Sequence, residues 1–170
     1  MTTPSPSRRN FLKGRFRAAD ANVMRPPGSV SDFARLCTEC GDCVSACPEK
    51  IIRVGEDRLP VVDFALGACT FCDSCAEACT SGALVAGQVE SWIWRAEIQE
   101  NCFSLQGVMC RTCEDVCEPR AIRFKLAVGG MAEPVIDLNQ CTGCGECAHS
   151  CPAQAVQFKR AQDLSAREKT

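Results

Sequence analysis

Apolar residues along this chain come in short β-branched runs separated by polar turns. In KIIRVGEDRLPVVDF, residues 50–64, two such runs flank a polar turn, and the pattern predicts a β-hairpin. AIRFKLAVGGMAEPVIDL, residues 121–138, has the same shape with Gly129-Gly130 at its tip and predicts a second hairpin. ALVAG at 83–87 and AVQFK at 155–159 read as closing strands. Trp92 and Trp94 stand at strand spacing, so both rings face one side. They fit a seam between two packed units, with an anchor for a partner protein as the alternative. No run reaches 18 apolar residues, so no transmembrane segment is predicted.

Between these strands the chain repeats one cysteine unit four times. The first is Cys37, Cys40, Cys43 and Cys47, followed by Pro48. The second is Cys69, Cys72, Cys75 and Cys79. The fourth is Cys141, Cys144, Cys147 and Cys151, followed by Pro152. All three space their cysteines with gaps of two, two and three residues. The third run, Cys110, Cys113 and Cys117, lacks a cysteine at Gly107, and Cys102 stands eight residues before Cys110. The sixteen cysteines of the chain therefore divide into four groups of four.

That spacing suits iron–sulfur cubes. Thiolates two residues apart let one loop curl around a cube, each sulfur reaching a different iron. Gly41, Ser74, Gly143 and Gly145 let the backbone approach closely. The three-residue gap continues into a helical turn that aims the fourth cysteine at a neighbouring cube, the bacterial [4Fe–4S] pattern. A disulfide framework suits secreted mini-proteins and needs no fourfold repeat. Zinc takes two separate Cys-x2-Cys pairs. Cys102 is read as folding back to supply the missing thiolate of the third run. Without it that site would hold a three-iron cluster or be unstable. His149, the lone histidine, reads as a surface residue, with a hydrogen bond to a cluster sulfur as the alternative.

The gaps between runs decide their pairing. Cys47 to Cys69 leaves 21 residues and Cys117 to Cys141 leaves 23, each enough for one hairpin, whereas Cys79 to Cys110 leaves 30. Runs one and two form one module, runs three and four another. Crossed ligation then places Cys47 with Cys69, Cys72 and Cys75, and Cys79 with Cys37, Cys40 and Cys43. It places Cys151 with Cys102, Cys110 and Cys113, and Cys117 with Cys141, Cys144 and Cys147. The predicted fold is α+β: two tandem bacterial-type 2[4Fe–4S] ferredoxin modules behind a basic N-terminal arm, holding four [4Fe–4S] clusters. The boundaries are an arm at 1–30, module one at 31–88, a connector at 89–101, module two at 102–160 and a polar tail at 161–170.

Composition sharpens this. Tyr is absent, Phe numbers 8 and Trp 2, so the apolar core is thin and the clusters must act as staples. Residues 1–36 hold seven Lys/Arg against two Asp/Glu, a balance of +5, and the remainder balances at −7. The arm carries SRRNFLKG, Ser7 to Gly14, the core of a twin-arginine signal. Arg15, Arg17, Asp20, Asn22 and Arg25 break every apolar run that an export signal needs. The arm therefore reads as a docking segment for an acidic surface, with a solvated tail carrying a chance arginine pair as the alternative, and Arg25-Pro26-Pro27-Gly28 as a turn before the folded body. No nucleic-acid partner, catalytic triad, phosphate loop or substrate pocket is indicated, so the chain is not read as an enzyme.

Taken together, SRRNFLKGR, the RPP turn, the four runs and the odd third run CFSLQGVMCRTCEDVCEPRAI resemble the ferredoxin-type NapF proteins associated with periplasmic nitrate reductase. The likeness spans nearly the whole chain. It departs from the Cys-Pro pattern at Cys79-Thr80 and Cys117-Glu118, which touches turn geometry but not the ligands. The resemblance implies a cytoplasmic accessory protein that contacts the precursor of the nitrate reductase catalytic subunit before its export and assists its maturation. The redox donor is left open. The alternative is an electron-transfer subunit of a membrane-associated quinol-oxidising complex.

Overall fold

The structure, a computed structural model, describes residues 23–88, 92–126 and 132–165. Its elements are short because the cysteine loops interrupt them every few residues. Before the first hairpin come α1 (Phe33–Leu36) and α2 (Asp42–Ala46). The hairpin itself pairs β1 (Ile52–Val54) with β2 (Pro60–Val62), with Ile52 opposite Val62 and Val54 opposite Pro60. α3 (Ser74–Glu77) follows and packs against α2.

The second half repeats the plan. α4 (Thr112–Asp115) packs against α5 (Glu146–His149). Between them β4 (Ile122–Leu126) and β5 (Ala132–Ile136) pair antiparallel, Ile122 opposite Ile136 and Leu126 opposite Ala132. Both predicted hairpins are present. The Gly129-Gly130 tip lies outside the described residues.

A third two-stranded sheet joins β3 (Trp94–Ile98) to β6 (Val156–Arg160), with Trp94 opposite Arg160 and Ile98 opposite Val156. AVQFK is thus a closing strand, but its partner comes from the segment read as a connector. ALVAG does not form a strand. Leu84 makes a single antiparallel bridge to Ser29, flanked by Val30 N–H to Ala83 O (3.1 Å) and Val85 N–H to Gly28 O (2.9 Å). Gly28 sits at φ +80°, and a Cβ there would strike the Val85 carbonyl, which explains the glycine.

Residues 23–30, assigned from sequence to the arm, are therefore part of the first half of the fold, with the RPPG turn inside it. Arg25 is the reason. It is 6% exposed, its guanidinium pairs with Asp57, donates to the Pro60 carbonyl at 3.1 Å and lies over the Phe33 ring at 5.6 Å. The rest of the arm, including SRRNFLKG, lies outside the described residues. At the other end, Ala161–Ser165 forms a helical turn, α6, that buries Leu164, where the sequence suggested only a polar tail.

The larger core cluster contains Phe33, Ile51, Ile52, Leu59, Phe64, Leu84, Trp92 and Trp94. The smaller one holds Ala96, Ala121 and Ile122 with Cys141 and Cys147. Phe158 of β6 packs against both. Trp92 lies edge-on to Phe64 (centroids 6.5 Å) and Phe71 (5.5 Å), and Phe64 meets Phe158 at 4.9 Å. With Trp92 and Trp94 only 6% and 7% exposed, the two rings are seam residues, and the alternative of an exposed partner anchor is overturned.

Candidate iron–sulfur sites

The first, second and fourth cysteine runs curl because the backbone adopts a left-handed turn just ahead of a short helix. α2 and α5 begin after Gly41 (φ +83°) and Gly145 (φ +93°), and α3 begins after Asp73 at φ +60°. At α4 the residue before the helix, Arg111, has an extended φ of −135°. The third run thus approaches its helix differently, in keeping with its altered spacing. Gly145 is further constrained, since a Cβ there would collide with the Phe64 ring.

The packed helix pairs bring the thiols of different runs together. Cys43 has Cys37, Cys40, Cys75 and Cys79 as interacting neighbours. Cys69 interacts with Cys75, Cys47 and Cys72. Cys113 interacts with Cys102, Cys151 and Cys110. Cys147 interacts with Cys141, Cys144, Cys113 and Cys117. In every case the last cysteine of one run lies beside three cysteines of another. Cys102 is buried and is an interacting neighbour of Cys113. None of the sixteen cysteines is in a disulfide. Among the described residues no group of three or more His, Cys, Asp or Glu converges closely enough to hold a single metal ion. Thiolates around a cube stand further apart than those around one ion, so the crossed sets suit the larger group. His149 is exposed.

The electrostatics fit a cationic core at the centre of each set. Burial, reinforced by neighbouring thiolates, pushes the Cys43 thiol up to about 11 and Cys113 up to about 12. Burial likewise pushes Cys69 up to about 12 and Cys75 up to about 11. Cys147, also buried, is raised for the same reasons. Thiolates so placed repel one another, and bound metal is what makes deprotonating them favourable. At the rim the balance reverses. The Ser74 hydroxyl and backbone N–H hold Cys72 below the usual thiol range. At Cys79 burial opposes ionisation, but hydrogen bonds from Ser81, Leu84 and Ala83 outweigh it and lower the pKa.

Several groups that serve the sulfurs were not foreseen from sequence. Leu84 N–H donates to Cys79 Sγ at 3.4 Å and Ala155 N–H to Cys151 Sγ at 3.3 Å. Ser81 Oγ lies 3.5 Å from Cys79 Sγ, and Thr112 Oγ1 lies 3.7 Å from Cys110 Sγ. Such contacts set the potential of a bound cluster. A Ser or Thr two residues after a cysteine was the available signal for the hydroxyls. The backbone donors leave none.

Known proteins match this arrangement. The 4Fe-4S dicluster domain family matches residues 36–83 and again 108–155. The ferredoxin-type protein NapF of Escherichia coli (strain K12) is 40% identical over 152 residues, covering 88% of this chain and 92% of its own length. NapF of Haemophilus influenzae is 38% identical over 167 residues, covering 92% and 95%. More distantly, the methylamine utilization ferredoxin-type protein MauM of Methylorubrum extorquens is 32% identical, covering 78% of this chain and 70% of its own. Two dicluster repeats, the thiol sets and near full-length likeness to NapF proteins agree: the chain belongs to the ferredoxin-type NapF family of iron–sulfur proteins.

Proposed function

We propose that the four thiol sets hold four [4Fe–4S] clusters, with all sixteen cysteines as ligands in the crossed arrangement. The chain then carries electrons without turning over a substrate of its own. When bound, each cluster supplies one-electron chemistry. The protein contributes the thiolates, the N–H and hydroxyl groups aimed at sulfur, and the fixed spacing between sets.

The observation that carries the reading is a backbone hydrogen bond, Cys69 N–H to Cys144 O at 2.7 Å. It ties the second run to the fourth across the seam. With Cys43 beside Cys75 and Cys147 beside Cys113, the sets form one continuous series. The order is the set of Cys37, then that of Cys69, then that of Cys141, then that of Cys102. A cluster store would not need such a series, whereas an electron carrier does.

In this reading the chain acts in the cytoplasm on the precursor of the periplasmic nitrate reductase catalytic subunit, assisting its maturation by binding it and supplying electrons. The likeness to NapF proteins supports it. No described helix is long and apolar enough to cross a membrane. An anaerobic pull-down tests it: the iron-loaded chain captures the purified precursor, and the chelated chain captures less. Equal capture by both forms, or stable co-purification with a membrane quinol-oxidising complex in place of the precursor, would overturn it.

A further inference from the structure

The third run differs from the other three in one respect. Its first two cysteines have seven residues between them, where the others insert only Thr38-Glu39, Thr70-Phe71 and Thr142-Gly143. The inserted residues, Phe103 to Met109, carry no charge. They form an anchored loop. Ser104 is 4% exposed and its hydroxyl donates to the Ala132 carbonyl. Val108 N–H donates to Phe103 O at 2.9 Å, Gly107 N–H to Ser104 O at 3.2 Å, and Gln106 Nε2 to Glu100 O at 2.8 Å.

This anchored loop nonetheless turns apolar side chains outward. Met109 is 96% exposed, Val108 56%, and Phe103 and Leu105 40% each. Leu126, 89% exposed, pairs in register with Ala132, whose carbonyl holds the loop, and so extends the patch. An apolar patch of this kind on a fixed backbone marks an interaction surface.

We infer that Phe103, Leu105, Val108, Met109 and Leu126 form the docking surface for a redox protein that exchanges electrons with the set of Cys102, Cys110, Cys113 and Cys151. The inference rests on the reading of that set as a cluster site. Both ends of the loop are cysteines of the set, so a partner seated on it lies against the end of the series described above. The exchange moves one electron at a time between the set and the partner's own centre, and no bond forms or breaks. The surface is uncharged, so the partner presents an uncharged apolar face around its redox centre, and the contact is insensitive to salt. Five such side chains expose roughly 400–600 Å², below the ~800 Å² each partner gives to a stable complex and within the range of transient redox pairs. A stable dimer of this chain needs more.

The test uses the iron-loaded full chain, reduced with dithionite, with the purified catalytic-subunit precursor as protein acceptor and benzyl viologen as a small control acceptor. Val108→Asp and Met109→Asp change exposed side chains only, so iron content and the low-temperature EPR spectrum stay as in the unaltered chain. The second-order rate to the precursor falls tenfold or more in each variant, while the rate to the viologen is unchanged. Raising salt from low to high changes the precursor rate less than twofold. An unaltered precursor rate in both variants, or a steep salt dependence, overturns the inference. So does sedimentation showing a dimer that Met109→Asp dissociates. Failure of the cluster reading itself is distinct: the unaltered chain would then show no reducible iron with either acceptor.

Discussion

Phe64→Ala tests the seam between the two halves. Phe64 is 8% exposed and lies among Trp92, Phe158 and the bare backbone of Gly145. Truncation removes the ring's burial and leaves a cavity, which together cost ~3–5 kcal/mol for a buried Phe. Of that, the two aromatic contacts account for ~0.5–1.5 kcal/mol each. The site cannot collapse readily, because the Gly145 wall has no side chain to move in and Trp92 is held by Phe71. The expected loss is therefore ~3–4 kcal/mol. For a chain of this size each kcal/mol moves the midpoint by ~2–4 °C, giving a fall of roughly 6–16 °C. The assay is anaerobic heating at a fixed scan rate, followed by bleaching of the visible iron–sulfur absorption. Phe64→Leu keeps most of the volume and serves as control. Iron content at low temperature stays as in the unaltered chain, since no sulfur is touched. A midpoint shift below ~2 °C would show that the aromatic cluster does not hold the halves together.

Three further outcomes are expected. Cys47→Ala removes a neighbour of Cys69 and Cys75, so EPR of the variant shows damage confined to the Cys69, Cys72, Cys75 set; damage confined to the Cys37, Cys40, Cys43 set would refute crossed ligation. Arg25→Ala removes the cation paired with Asp57, which is 26% exposed and still accepts from Leu59 N–H, so the cost sits below that of a fully buried pair, at about 2–3 kcal/mol, and iron content is unchanged; a thermal midpoint equal to that of the unaltered chain would refute it. The interior thiols Cys43, Cys69, Cys75 and Cys113 have pKa values raised to about 11–12, so protons compete with iron throughout the neutral range. Iron retained after a fixed chelator challenge consequently rises from pH 6 to pH 9, and a flat profile would contradict the assignment.

What the sequence made legible was local. The hairpins at 50–64 and 121–138 were readable because each places its two strands and turn in one continuous stretch. The division of the cysteines into four runs was readable because one spacing repeats along the chain, and counting alone attached Cys102 to the third run. Long-range pairing was not readable. AVQFK looked like a strand, but nothing in it names Trp94–Ile98 as its partner, some sixty residues earlier. ALVAG has strand composition, yet Gly28 and Ser29 offer it only one bridge. Arg25 was misjudged for a physical reason. Among six other basic residues near the N-terminus it looked solvated, and only the fold shows that Asp57, apparently a hairpin-turn residue, waits to receive it.

The two halves do not depend equally on iron. The larger core cluster is rich in ordinary apolar bulk: Phe33, Ile51, Ile52, Leu59, Phe64, Leu84, Trp92 and Trp94, with Cys43 as one contributor among many. The smaller cluster has Ala96, Ala121, Ile122, Cys141 and Cys147, so two of its five buried residues are cysteines of the proposed cluster sets. Without metal, Cys147 is a buried thiol raised by desolvation and by Cys141 and Cys144, and little apolar surface remains to hold its surroundings. Binding metal there is close to being the act of folding. Graded chelation followed by hydrogen exchange should therefore release the amides of β4, β5 and α5 before those of β1, β2 and α1. Simultaneous release would mean that the seam transmits the loss of one half fully to the other. Earlier release of the first hairpin would refute the argument that ordinary apolar packing supports the first half where iron must support the second.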